Sequence, residues 1–128
     1  MNDADDSDFG PLKAVLDRSE DLHKAILGLL DDASFDDSPR GQAAFGMCNV
    51  SLEHWLSLRI LISENCPTSA IGLLRLQFEA VARAMWLLYV ASELAVNKLT
   101  DRLSVETEQA AKNLPTVNQM LDEIGRGV

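Results

Sequence analysis

Ligands for a metal are scarce in this chain of 128 residues, which has only two cysteines and two histidines. Cys48 and Cys66 lie too far apart for a CxxC pair, and neither His23 nor His54 has a second ligand at the helical spacing of HExxH, so no zinc centre is expected. The acid pairs Asp31-Asp32 and Asp36-Asp37 lack the glycine and the terminal glutamate of an EF-hand loop and read as a solvated turn, not a calcium site. No GxxxxGK[ST], GxGxxG or GxSxG occurs, which removes the usual sequence support for P-loop nucleotide hydrolysis, Rossmann redox chemistry and serine-hydrolase chemistry. Neither a metal nor a cofactor is expected.

Basic residues are also short. Eleven Lys and Arg stand against 20 Asp and Glu, a formal net charge of −9, and such a field repels phosphate, whether of nucleic acid or of an anionic membrane. The acidity is uneven. Residues 1–37 hold 11 acids and 3 bases, a balance of −8, and residues 38–128 hold 9 acids and 8 bases, a balance of −1. Met1 is followed by Asn-Asp-Ala-Asp-Asp, with neither a basic start nor an apolar core for a secretory leader, so a cytoplasmic location is expected, with both cysteines reduced and serving as small hydrophobes. No uncharged apolar run spans a bilayer. The best candidate, Ala70 to Ala91, carries Arg75, Glu79 and Arg83, which together cost about 8–10 kcal/mol on the insertion scale. Internal repeats, strand alternation and low-complexity tracts are missing too.

What the chain does have is helical periodicity. Hydrophobic residues make up 47%, and a chain of this length buries roughly two-thirds of its unfolded surface, so one core is expected. Residues 1–10 read as an acidic disordered tail and 11–128 as a single domain. Pro11 suits a first helical turn, and Leu12, Val15, Leu16, Leu22, Ile26, Leu27 and Leu30 recur at three and four. Ser38 can cap a second helix with Pro39 in its first position, running from about Arg40 to Glu64 until Asn65-Cys66-Pro67-Thr68 breaks it. A third helix, from about Thr68 to Ser92, is apolar on almost every side, from Ile71 through Phe78 and Trp86 to Val90, which predicts burial all round by sister helices or by a second subunit. It would be roughly 37 Å long, which favours a homodimer. Ser104 and Leu114-Pro115 are expected to start two shorter helices. The whole reads as an all-α bundle of four to five helices around a long apolar central helix.

Arg75, Glu79 and Arg83 fall at i, i+4 and i+8 and line up on one face of that helix. Buried charges must be paired, and stranding one typically costs about 3–5 kcal/mol. One account is an Arg–Glu–Arg ladder that fixes the register of the bundle or dimer. Another has Glu79 orienting the arginines toward a planar oxyanion such as phosphate, with Arg59 of the second helix able to join either arrangement. His54 shares a helix with Arg59 and reads first as a structural histidine and second as a general acid or base. His23, among Glu20, Asp21 and Lys24, reads as exposed.

The stretch Ser69-Ala70-Ile71-Gly72-Leu73-Leu74-Arg75-Leu76-Gln77-Phe78-Glu79-Ala80-Val81-Ala82-Arg83-Ala84-Met85-Trp86-Leu87-Leu88-Tyr89, together with Ser51-Leu52-Glu53-His54-Trp55, resembles a group of uncharacterised bacterial helical proteins. That group is in turn distantly similar to the HEPN superfamily (higher eukaryotes and prokaryotes nucleotide-binding), which includes metal-independent RNases of toxin and phage-defence systems. The resemblance implies RNA or a nucleotide as a partner, with Arg75, Arg83 and His54 as candidate catalytic residues. The HEPN pattern places a histidine four to six residues after an arginine, and none follows Arg59, Arg75 or Arg83. Relatives that continue into a later histidine-bearing helix would make this chain a shortened form without its site. The leading expectation is therefore a self-associating interaction or ligand-binding module without catalysis in this chain, joined through the helix from Leu73 to Val90; the alternative is a HEPN-like RNase or nucleotide-binding protein.

Overall fold

A computed structural model describes residues 10–33, 36–100 and 114–127. Five helices and no strand lie among the described residues: α1 Gly10–Asp32, α2 Pro39–Ser63, α3 Pro67–Tyr89, α4 Glu93–Thr100 and α5 Val117–Gly127. The all-α bundle forms as the periodicity requires. Two compact units divide the chain, residues 1–34 and 35–128. The acidic stretch at residues 1–9 lies outside the described residues.

The described residues of the first unit form α1. Lys13 pairs with Asp17 at 3.2 Å and Lys24 with Glu20 at 3.5 Å across successive turns, contacts worth about 0.3–0.5 kcal/mol each on an exposed helix. Leu12, Val15, Leu22, Leu27 and Leu29 are exposed and no residue of α1 is buried. His23, expected to be exposed, is half-buried.

The second unit opens with a tightly built helix start. Ser38 caps α2 as its sequence predicts, its Oγ accepting from the Gly41 amide at 3.1 Å with Pro39 in the first turn. Asp36 accepts in turn from the Ser38 hydroxyl at 2.7 Å and the Ser38 amide at 2.9 Å, and these bonds hold its carboxyl below the usual carboxylate range. The turn brings the Asp36 carbonyl to 2.5 Å from where a Cβ on Gly41 would sit, so only glycine fits there.

α2 ends in a Schellman arrangement. Asn65 adopts the left-handed region at φ 59°, its amide donates to the Ile62 carbonyl at 3.1 Å, and the Cys66 amide reaches back to Leu61 at 2.7 Å. Pro67 then starts α3 at once, because its fixed φ suits a first turn that has no intrahelical acceptor for an amide. Three residues thus reverse the chain, and α2 packs along α3 as the most extensive pairing in the unit.

The remaining helices differ from expectation in their starts. The central helix stops at Tyr89, three residues short of Ser92, and Ser92 instead caps α4, its Oγ accepting from the Ala95 amide at 3.3 Å. The start expected at Ser104 lies outside the described residues. α5 begins at Val117, two residues beyond Pro115, because Thr116 and Gln119 form a reciprocal capping box: the Thr116 amide donates to Gln119 Oε1 at 2.8 Å and the Gln119 amide to Thr116 Oγ1 at 3.4 Å.

The core gathers at the C-terminal end of α3. Trp86, Leu87 and Ala91 meet Ala44 of α2, Val96 of α4 and Met120 of α5. Burial of α3 on all sides, expected from its composition, therefore holds for only part of it. Trp86 is 4% exposed, but Leu74 is 56% and Phe78 57% exposed: α2 makes the most extensive pairing with this helix, and the described residues of the second unit leave these two side chains open. The cysteines also depart from the buried role assigned to them: both Cys48 and Cys66 are free and exposed.

Two glycine substitutions separate the helix start from ordinary helix interior. Gly41→Ala should lower stability by about 1 kcal/mol or more through the clash with the Asp36 carbonyl, despite the intrinsic gain of alanine. Gly72→Ala meets nothing within 4 Å and should raise stability by about 0.5–1 kcal/mol, both read from urea unfolding midpoints. The depressed Asp36 pKa gives a sign as well: its contribution is fully present above the ordinary value of 3.8 and is lost as pH falls through the lower folded value. An acid titration of the unfolding midpoint should show this loss in the wild type and not in Asp36→Asn.

Candidate functional site

The surface of α3 is the candidate site, and its polar part is the ladder. Glu79 sits between Arg75 and Arg83, accepting from Arg75 Nε at 3.1 Å and from an Arg83 guanidinium nitrogen at 3.4 Å. The sequence spacing brings all three together. The ladder is not buried, however: the Arg75 side chain is 83% exposed, Arg83 is 42% exposed, and only Glu79, at 19%, is largely covered. The expected penalty of about 3–5 kcal/mol for stranding a buried charge does not apply to such pairs, each worth about 0.3–0.5 kcal/mol.

The two guanidinium groups diverge from their shared carboxylate. Arg75 borders a cleft with Leu61, Ser69 and Glu79, whereas Arg83 lines another with Met47, Trp86 and Leu87. The two guanidinium groups offer positive charge and hydrogen-bond donors. His54, half-buried on α2, makes no hydrogen bond or ion pair to the ladder and lines neither cleft. Arg59 lies over the ring of Trp55, 4.9 Å from its centroid, in a cation–π contact within α2. No group of three or more His, Cys, Asp or Glu that could hold a metal ion occurs among the described residues.

The apolar part of the same surface is more regular. Ile71, Leu74, Phe78, Val81, Met85 and Leu88 repeat at intervals of 3, 4, 3, 4 and 3, the a/d spacing of a coiled coil, and all six are exposed. Ala70, Ala80, Ala82, Ala84, Trp86 and Leu87 of the same helix are buried. α3 therefore has two apolar faces, one used within the chain and one open.

Two contacts that sequence reasoning missed hold this surface in place. The Arg40 guanidinium donates to the carbonyls of Leu87 and, at 2.6 Å, Ala91, and pairs with Glu93 at 2.7 Å. It satisfies acceptors that the end of α3 leaves orphaned and ties in the start of α4. The Trp86 indole donates to Glu123 Oε2 at 2.7 Å, fastening α5 to α3. Only the Ser-Pro start beside Arg40 was visible in the sequence, since its targets lie 47 to 53 residues away.

Among protein families, one model matches residues 48–127, from Cys48 on α2 to the last residue of α5. The chain belongs to DUF6988, a family of unknown function. No curated protein and no solved structure matches it. The DUF6988 match takes in the ladder, His54, Arg59, the open stripe and the Trp86–Glu123 pair, while Ser38, Arg40 and α1 precede it. No described helix is long and apolar enough to cross a membrane.

Two substitutions rank these contacts. Glu79→Gln should cost no more than about 1 kcal/mol, because the pairs it breaks are mostly solvated. Arg40→Ala should cost about 2–4 kcal/mol by unmaking several charged hydrogen bonds at once, with Arg40→Lys recovering part of it, as measured by chemical unfolding.

Proposed function

We propose that this DUF6988 protein is a cytoplasmic helical module, without catalysis in this chain, that associates with a second copy of itself through the open face of α3. The carrying observation is the stripe of six exposed apolar residues at heptad spacing. At about 200 Å² for a fully exposed large side chain, the six leave on the order of 600 Å² open, the upper end of what a monomer normally exposes in one patch. Two such stripes face to face bury about 1,200 Å², which reaches the range of specific interfaces. Leu56 and Ile60 of α2 and Tyr89 add further exposed apolar surface. Two exposed free thiols suit a reducing compartment.

A second reading, an RNA-cleaving or nucleotide-binding protein of the HEPN kind from a toxin or phage-defence system, draws support from Arg75, which Glu79 orients while its guanidinium stays open to solvent. The lack of a histidine four to six residues after Arg75 or Arg83 weighs against cleavage. If Arg75→Ala changes stability alone, and the purified chain neither cleaves RNA nor retains nucleotide, that reading fails.

Sedimentation equilibrium tests the leading proposal. The wild-type chain should sediment near twice its 14.0 kDa mass, and Phe78→Asp should sediment as a monomer with its helical circular dichroism intact. A wild-type monomer throughout the micromolar range would overturn self-association.

A further inference from the structure

From the order of residues along the open stripe, and resting on the self-association proposed above, we infer that two copies join their α3 helices antiparallel, with Phe78 of each set against Val81 of the other. The spacing itself allows either direction, because 3, 4, 3, 4, 3 reads the same both ways. Side-chain size decides between them.

In a parallel pair each residue meets its own copy, so Phe78 faces Phe78 and Val81 faces Val81. Two rings then crowd one layer while two small side chains leave the next layer underfilled, and both errors destabilise a core. In an antiparallel pair a positions meet d positions. Ile71 then packs on Leu88, Leu74 on Met85 and Phe78 on Val81, so the largest residue of the stripe meets the smallest and every layer holds a comparable volume. Orientation of the backbone acts in the same direction. α3 runs for 23 residues, and antiparallel alignment sets the positive N-terminal end of each helix beside the negative C-terminal end of the other.

The ladder fits this arrangement. The two Arg75 residues stay apart, each with its own Glu79.

Cysteine pairing distinguishes the direction from the existence of the dimer. In the full-length chain with Cys48→Ser and Cys66→Ser, Ile71→Cys and Leu88→Cys are prepared singly, then mixed and allowed to exchange. A short bis-maleimide should link the mixture as a heterodimer and link neither variant to itself, because equivalent Ile71 positions lie about 26 Å apart along antiparallel helices. Leu74→Cys with Met85→Cys repeats the test one layer inward, should either outer variant fold poorly. If each variant instead links to itself, the helices are parallel and this inference falls while self-association stands. Dimer mass without any link also overturns the register. Monomer mass without any link overturns both.

Discussion

Everything in the second unit depends on how the apolar surface of α3 is covered. A helix with leucine, isoleucine, phenylalanine, methionine or tryptophan in every direction cannot be covered by one neighbour, and each large side chain left in water forgoes roughly 1.5–3 kcal/mol of burial. α2 makes the most extensive pairing with α3, and among the buried residues of α3 are the small side chains of Ala70, Ala80 and Ala84. α4 and α5 add to this cover at the C-terminal end, around Trp86 and Leu87. Among the described residues of the second unit, α3 is thus covered on one side and open along a stripe from Ile71 to Leu88.

This asymmetry explains where the polar contacts are concentrated. Arg40 and Glu123 both act on the C-terminal end of α3, one on its last carbonyls and the other on the Trp86 indole, and both are charged groups bonded to otherwise orphaned partners. They hold short helices that have little area of their own: α4 has eight residues and α5 eleven. The Arg75–Glu79–Arg83 ladder has the opposite character. It lies along solvent, its two arginines border different clefts, and it leaves the helix with one net positive charge beside an apolar stripe.

Much of this could be read from the residues. Ser38-Pro39 marks a helix start and Asn65-Cys66-Pro67-Thr68 a break by local chemistry, and α2 and α3 begin within one residue of the expected Arg40 and Thr68. The ladder was legible because i, i+4 spacing on a helix settles contact without tertiary information. Other features were not legible for the same reason in reverse. Arg40 meets carbonyls about 50 residues away, and no local pattern encodes that. The start of α4 was hidden because Ser92 is equally good as the end of an apolar run and as a cap, and the extra helical potential of Leu87 to Val90 favoured the former. Composition showed that α3 needed cover on every side, but it could not show that the described residues of the second unit supply only part.

The three-residue reversal between α2 and α3 carries a kinetic consequence. The broadest packing in the molecule joins two segments that are adjacent in the chain, across a turn whose left-handed Asn65 already aims the second helix back along the first. Closing so small a loop loses little chain entropy, and contacts of short sequence separation assemble quickly. The hairpin is therefore the natural nucleus of folding, with the Arg40 and Trp86 attachments, which span some 40 to 50 residues, arriving afterwards.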